Sequence, residues 1–135
     1  MNPVYVDAAM TLQSDFTFKD GSNLALGENL AGGEWCDGDE QVLLLDGVGT
    51  PSDLKDVYEQ VNLQILVRGN PREPDEKVYN RAYQVMRFFL NLPESVDLNG
   101  CAYKGFEQES GLLPLGKDDN ERFIYSFNLS TYRGV

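Results

Sequence analysis

The sequence predicts an α+β fold: a mainly antiparallel four-stranded sheet with one long helix and a short N-terminal helix on one face. Three stretches carry that reading. Residues 56–68, DVYEQVNLQILVR, place Val57, Glu59, Val61, Leu63, Ile65 and Val67 at odd positions. Tyr58, Gln60, Asn62, Gln64 and Arg68 take the even ones, with Leu66 the apolar exception. Alternation at period two predicts a strand with one buried and one wet face. Residues 74–92 set Val78, Ala82, Val85, Met86 and Phe89 along one helical face, opposite Lys77, Asn80, Arg81, Gln84 and Arg87. Residues 122–132 alternate again, Phe123, Tyr125, Phe127 and Leu129 against Ser126, Asn128 and Ser130.

From the N-terminus, residues 3–14 predict the short helix, since Pro3 suits a first turn and Val4, Ala8 and Leu12 share a face. The triplet Val4-Tyr5-Val6 competes for strand. Residues 16–41 are rich in glycine and acids and predict an irregular acidic segment. Its length is unusual for a loop within one domain and points to function or to ordering by a partner. Val42–Asp46 predicts a short strand buried on both faces, and Gly47, Gly49, Pro51 and Ser52 lead into the central strand. The long helix follows: Pro74 fits its first turn, Asp75 and Glu76 complement the positive end of its dipole, and Pro93 closes it. Residues 101–108 predict a returning strand weakened by Gly105, and residues 111–120 a hairpin connection to the last strand. The order is αββαββ in a single domain, 1–135, without internal repeat.

Composition narrows the function. A chain of 135 residues with 41% hydrophobic content supports one folded core. No run approaches the ~20 apolar residues of a membrane span. The N-terminus lacks a basic region and carries Asp7, so no signal peptide is expected and the chain should stay in the cytoplasm or in something assembled there. Cys36 and Cys101 do not make a disulfide framework and predict reduced thiols. Histidine is absent, which removes the commonest general base and metal ligand. The net charge of −11 is uneven: residues 1–50 hold nine acids against Lys19, and the remainder thirteen acids against ten bases. That bias opposes binding to DNA phosphates and favours a basic partner or a surface that repels nucleic acid.

No catalytic, cofactor or metal site emerges. The densest acidic cluster is Glu34, Asp37, Asp39 and Glu40, but Asp37-Gly38-Asp39 lacks the alternating ligands and closing Glu of a calcium loop. No spacing singles out a carboxylate pair, and Ser126 and Ser130 have no basic partner. The stretch GVGTPSD lacks the Lys-Ser/Thr of a phosphate loop. Trp35, Tyr58 and Tyr103 lack an interleaved basic patch and read as core or interface aromatics. Arg68, Arg72, Arg81 and Arg87 read as a solvated or ion-paired edge.

The wording of the chain from VLLLDGVGTPSD and VNLQILVRGN through YNRAYQVMRFFLNL to LNGCAYKGFEQESGLLPLGKDDNERFIYSFNLSTYR resembles the minor capsid protein and tail-terminator group of siphophages. The likeness is best over residues 24–133, and its most specific parts are QILVRGN with its helix and PLGKDDNERFIYSFNLSTYR. The first 23 residues and the acidic insert around Trp35 match less well. The resemblance implies a non-enzymatic virion protein that forms a ring, generally of six subunits, at the head–tail junction. Its implied partners are further copies of itself, the tail tube protein and the head-completion or connector protein, with DNA passing through unbound and no membrane involved. Under it, Tyr58, Gln60, Asn62, Gln64 and Arg68 are candidates for the surface shared with a neighbouring subunit or the channel. The charge bias makes Glu34, Asp37, Asp39 and Glu40 candidates, some of which should face the channel or lie in a loop at its mouth. The competing reading is an acidic DNA mimic that inhibits a nucleic-acid enzyme. A mimic should spread its carboxylates over one face, whereas the charge here is concentrated in the first third.

Overall fold

A computed structural model describes residues 2–47 and 58–134. Two helices and eight strands follow in the order α1 (Val4–Asp15), β1 (Leu30–Gly32), β2 (Gln41–Asp46), β3 (Tyr58–Arg68), α2 (Asp75–Leu90), β4 (Ser95–Leu98), β5 (Cys101–Lys104), β6 (Glu107–Gln108), β7 (Leu113–Lys117) and β8 (Phe123–Gly134). The strands form one curled sheet, a half-barrel, ordered β1-β2-β3-β8-β5-β4, with β6 and β7 also paired to β8. β1 runs parallel to β2 and the remaining pairs are antiparallel.

The expected four-stranded, mainly antiparallel sheet with one long helix is overturned. The sheet is mixed and has eight strands, while the N-terminal helix expected over residues 3–14 is present as α1, 12 residues long. The difference comes from β8. At 12 residues it pairs with β3 along one edge from Tyr58↔Gly134 to Arg68↔Ile124. Its other edge is too long for one partner, and β5, β6 and β7 share it: Tyr103 opposes Arg133, Glu107 opposes Ser130, and Leu113 opposes Ser126. The run 101–108, expected as one strand, is therefore two, separated at Gly105 and Phe106. The expected hairpin connection contains β7. Val57 and the connection from Gly49 to Ser52 lie outside the described residues.

Sheet and helices share one core. Register sets Leu44, Ile65 and Phe127 abreast, and all three are fully buried beneath the helices. Val4, Ala8 and Leu12 enter this cluster from α1, and Val78, Ala82, Val85 and Phe89 from α2. The acidic segment joins it too, because Phe16, Phe18, Leu24 and Leu30 are buried there. Gly32 lets α1 approach: a Cβ at that position would lie 2.9 Å from the Tyr5 ring. α1 has no side-chain cap at Pro3, and Asp46 on β2 accepts a hydrogen bond from the Tyr5 amide at 3.1 Å instead. A carboxylate there also complements the positive end of the helix dipole.

A buried polar chain ties α1 to the sheet. Asp7 is fully buried and accepts hydrogen bonds from the Tyr103 hydroxyl and, at 3.2 Å, from Asn99 Nδ2. Burial, reinforced by Asp7, raises the Tyr103 hydroxyl well above its ordinary value. Arg133 donates to Glu59 through Nε at 3.0 Å and Nη2 at 2.6 Å. Its burial would lower the guanidinium, but Glu59 and Tyr103 outweigh that and raise it. Buried polar groups of this kind are tolerated because they are paired.

Candidate functional site

The polar face of β3 is the first candidate surface. Tyr58, Gln60, Asn62 and Gln64 fall on the side away from the helices, each half-buried. Across β8 they oppose Gly134, Tyr132, Ser130 and Asn128. Gln64 Nε2 donates to Ser126 Oγ at 3.4 Å, and Lys104 Nζ sits 4.7 Å from the Tyr58 ring centre. The segment after β6 rims this face: Ser130 Oγ donates to Glu109 at 2.5 Å and Asn128 Nδ2 to Ser110 Oγ at 3.2 Å. The result is a concavity of about 400 Å³ lined by Gly47, Asn62, Gln64, Glu109 and Asn128. Amides dominate its wall, and one carboxylate supplies its charge.

Arg68 departs from the other four. It is buried, at 5% exposure, and turns to the acidic segment instead. Its guanidinium lies 4.0 Å from the Trp35 ring centre. Nε donates to the Asp39 carbonyl at 2.9 Å and Nη2 to the Gly38 carbonyl at 2.8 Å. Burial, then the charge of Arg122, holds this guanidinium below its ordinary value. A planar fork with stacking faces is suited to such a clamp, and a lysine is not.

The second candidate surface is the loop that Arg68 clamps. Gln41, 1% exposed, accepts from the Cys36 amide at 2.8 Å and donates to the Cys36 and Gly38 carbonyls. Asp39 pairs with Arg122 at 2.9 Å, and Glu40 with Arg81 at 2.8 Å. Arg81 also bridges Glu73 at 2.9 and 3.2 Å. Burial pushes the Glu73 carboxyl up, yet the hydrogen bonds and charge of Arg81 prevail and hold it below its ordinary value. The four acidic candidates thus divide. Asp39 and Glu40 are held by arginines, whereas Glu34 and Asp37 are exposed and take part in no ion pair among the described residues. Sequence reasoning missed Gln41, Arg122 and Arg81 as the residues that fix the loop. Three arginines and a buried glutamine around a run of acids was the available signal, but the arginines lie 33 to 87 positions from Trp35 and the glutamine hides in a strand, beyond any local pattern.

Among the described residues no cluster of His, Cys, Asp and Glu is arranged to hold a metal ion, and no helix is long and apolar enough to cross a membrane.

The family model described as bacteriophage tail terminator protein matches residues 36–132. α1 and β1 lie outside that match. Fourteen chains of solved structures match the fold. One of them, at 12% sequence identity, covers 100% of this chain and 96% of its own length with a TM-score of 0.59. No curated protein sequence matches.

Proposed function

The chain belongs to the bacteriophage tail terminator protein family, a structural and non-enzymatic component of the virion, and from that premise we propose that it forms a ring at the head–tail junction. Copies of the chain, six in the reading we favour, close head to tail around a channel that passes DNA. The tail tube protein lies on one side of the ring and the head-completion or connector protein on the other. The virion neck is its final place, reached by assembly in the host cytoplasm.

The acidic loop carries this reading. Its charged tip is rigidly held and leaves Glu34 and Asp37 free of ion pairs among the described residues, as a lining that repels DNA phosphates requires. In this arrangement Glu34 and Asp37 face the channel, with Asp39 and Glu40 bracing the loop behind them. The polar face of β3, from Tyr58 to Gln64, meets the adjoining subunit, and Arg68 contributes by positioning the loop. Cryo-electron microscopy of purified virions tests the proposal. The expected result is a closed ring of this chain at the neck, with Glu34 and Asp37 toward its axis. Density for the chain elsewhere in the particle would overturn it, and a ring with all four acids on its outer wall would remove the channel assignment.

A further inference from the structure

Two surfaces lie toward opposite ends of α2. The first is the β7–β8 hairpin. Leu113 and Leu115 are 51% and 54% exposed, the highest values among the large apolar side chains of the described residues. All five residues of β7 are exposed, Lys117 among them, and in the turn that follows Asp118 pairs with Arg122 and Glu121 with Arg72, which leaves Asp119 as its acid outside any ion pair among the described residues. Pro114 has no N–H, the pairing is irregular between Pro114 and Lys117, and Gly116 has φ +80°. These features guard an edge against strand addition, so the arm offers side chains rather than backbone.

The second surface is a groove of about 470 Å³ where the C-terminal ends of α1 and α2 meet. Phe16, Tyr83 and Phe88 give it an aromatic lining, and Lys19 and Arg87 stand exposed beside them. Asp15 is its one carboxylate. Of the three rings Tyr83 is exposed, Phe88 half-buried and Phe16 buried, so the two cations border an aromatic surface that is mainly Tyr83 and the edge of Phe88. Aromatic side chains with arginine are also the types that anchor interfaces.

We propose that the Leu113–Leu115 arm of one copy seats in the Phe16–Tyr83–Phe88 groove of the next, with Asp119 reaching Lys19 and Arg87. This contact rests on the ring reading and adds a second pair of surfaces to the β3 face already assigned to the adjoining subunit. A ring needs two different, complementary patches on each subunit, and apolar-plus-acidic against aromatic-plus-basic is such a pair. Tyr125, abreast of Pro114, donates its hydroxyl to Asp75 at 2.6 Å, which puts Pro114 beside the first turn of α2, while Leu113, abreast of Ser126, lies on the sheet face away from the helices. The groove uses the last turns, about 18 Å along the helix axis at 1.5 Å per residue.

The test measures oligomerisation of the full chain on purified tail tubes by mass photometry. The variants are Leu113→Ser/Leu115→Ser, Lys19→Glu/Arg87→Glu, Asp119→Lys, and the last two combined in one chain, each checked for unchanged thermal unfolding. Expected is a roughly tenfold to hundredfold weaker association for the leucine variant. Each charge reversal alone should weaken association, and the combined chain should recover it. Rings formed equally well by every variant would overturn this contact and leave the ring reading standing. Leucine variants that no longer bind the tube would assign the arm to the tube protein and overturn it as well. A wild-type chain that stays single on the tubes would remove ring and contact together.

Discussion

Arg68 shows how much one side chain organises. Its two donors and its stacking face all serve the loop, with Trp35 at 4.0 Å and the carbonyls of Gly38 and Asp39 at 2.8 and 2.9 Å. Arg68→Lys keeps the charge and loses the fork, leaving at least one carbonyl unpaired at a cost of about 1–3 kcal/mol. The Cys36 amide, held by Gln41 at 2.8 Å, is the natural reporter. Its hydrogen exchange should accelerate roughly tenfold or more in the variant while β3 amides keep their protection. Unchanged protection at Cys36 would show that Gln41 holds the loop without Arg68. Glu73 makes a second residue-scale prediction. Its folded carboxyl lies below its ordinary value of 4.5, because Arg81 outweighs burial. A depressed carboxyl contributes stability that is present above 4.5 and lost as pH falls through the folded value. Urea midpoints should therefore decline as pH falls below about 4.5. Glu73→Gln should flatten part of that decline, the remainder belonging to Asp118 and Asp20, which also sit below their ordinary values. Identical pH profiles for the two chains would refute the assignment to Glu73.

At the scale of elements, β3 has two faces with different consequences. Leu63 is 1% exposed and opposes Leu129 on β8 and Asp46 on β2. Leu63→Asp buries an unpaired charge, and its cost is comparable with the ~5–15 kcal/mol that holds a domain together. Circular dichroism should find this variant unfolded at 25 °C. Gln60→Lys with Gln64→Lys changes the polar face alone, so the chain should keep its melting temperature and lose ring assembly on tail tubes. Normal assembly by that double variant would return the face to solvent. Both faces were legible in the sequence because β3 is long enough for its period to show. The same holds for α2, whose Val78, Ala82, Val85 and Phe89 are all fully buried. β1, β4, β6 and β7 were not legible. β6 has two residues and β1 three, too few for any period. β1, β6 and β7 pair along the unused edges of β2 and β8, and β4 along that of β5, a tertiary circumstance that overrides local propensity. The candidate site was half legible for a related reason. The acids of 34–40 stand together in the chain, but the arginines that divide them into braced and free arrive from β3, α2 and the turn before β8.

For the molecule as a whole, charge and shape pull against each other in assembly. Every copy carries a net charge of −11, so like-charged subunits must be brought together. Within one copy the arginines already neutralise Asp39, Glu40, Glu59, Glu73 and Asp118, which leaves few cations for the boundary between subunits. If the ring closes mainly through apolar contact at Leu113 and Leu115, with a few charges choosing the partner, salt should help. Repulsion between whole subunits acts over a long range, and the screening length shrinks from about 30 Å at 10 mM salt to about 8 Å at physiological strength. The seated charges near Lys19 and Arg87 act at contact distance and are partly buried, so they are screened less. Ring formation on tail tubes should therefore rise between about 10 and 150 mM sodium chloride and then level off, because the Debye length changes little beyond that in absolute terms. The Asp119→Lys chain starts with two units less negative charge, and its curve should be flatter as well as lower. Assembly that fell steadily with added salt would mean that ion pairs, rather than apolar side chains, hold the copies together.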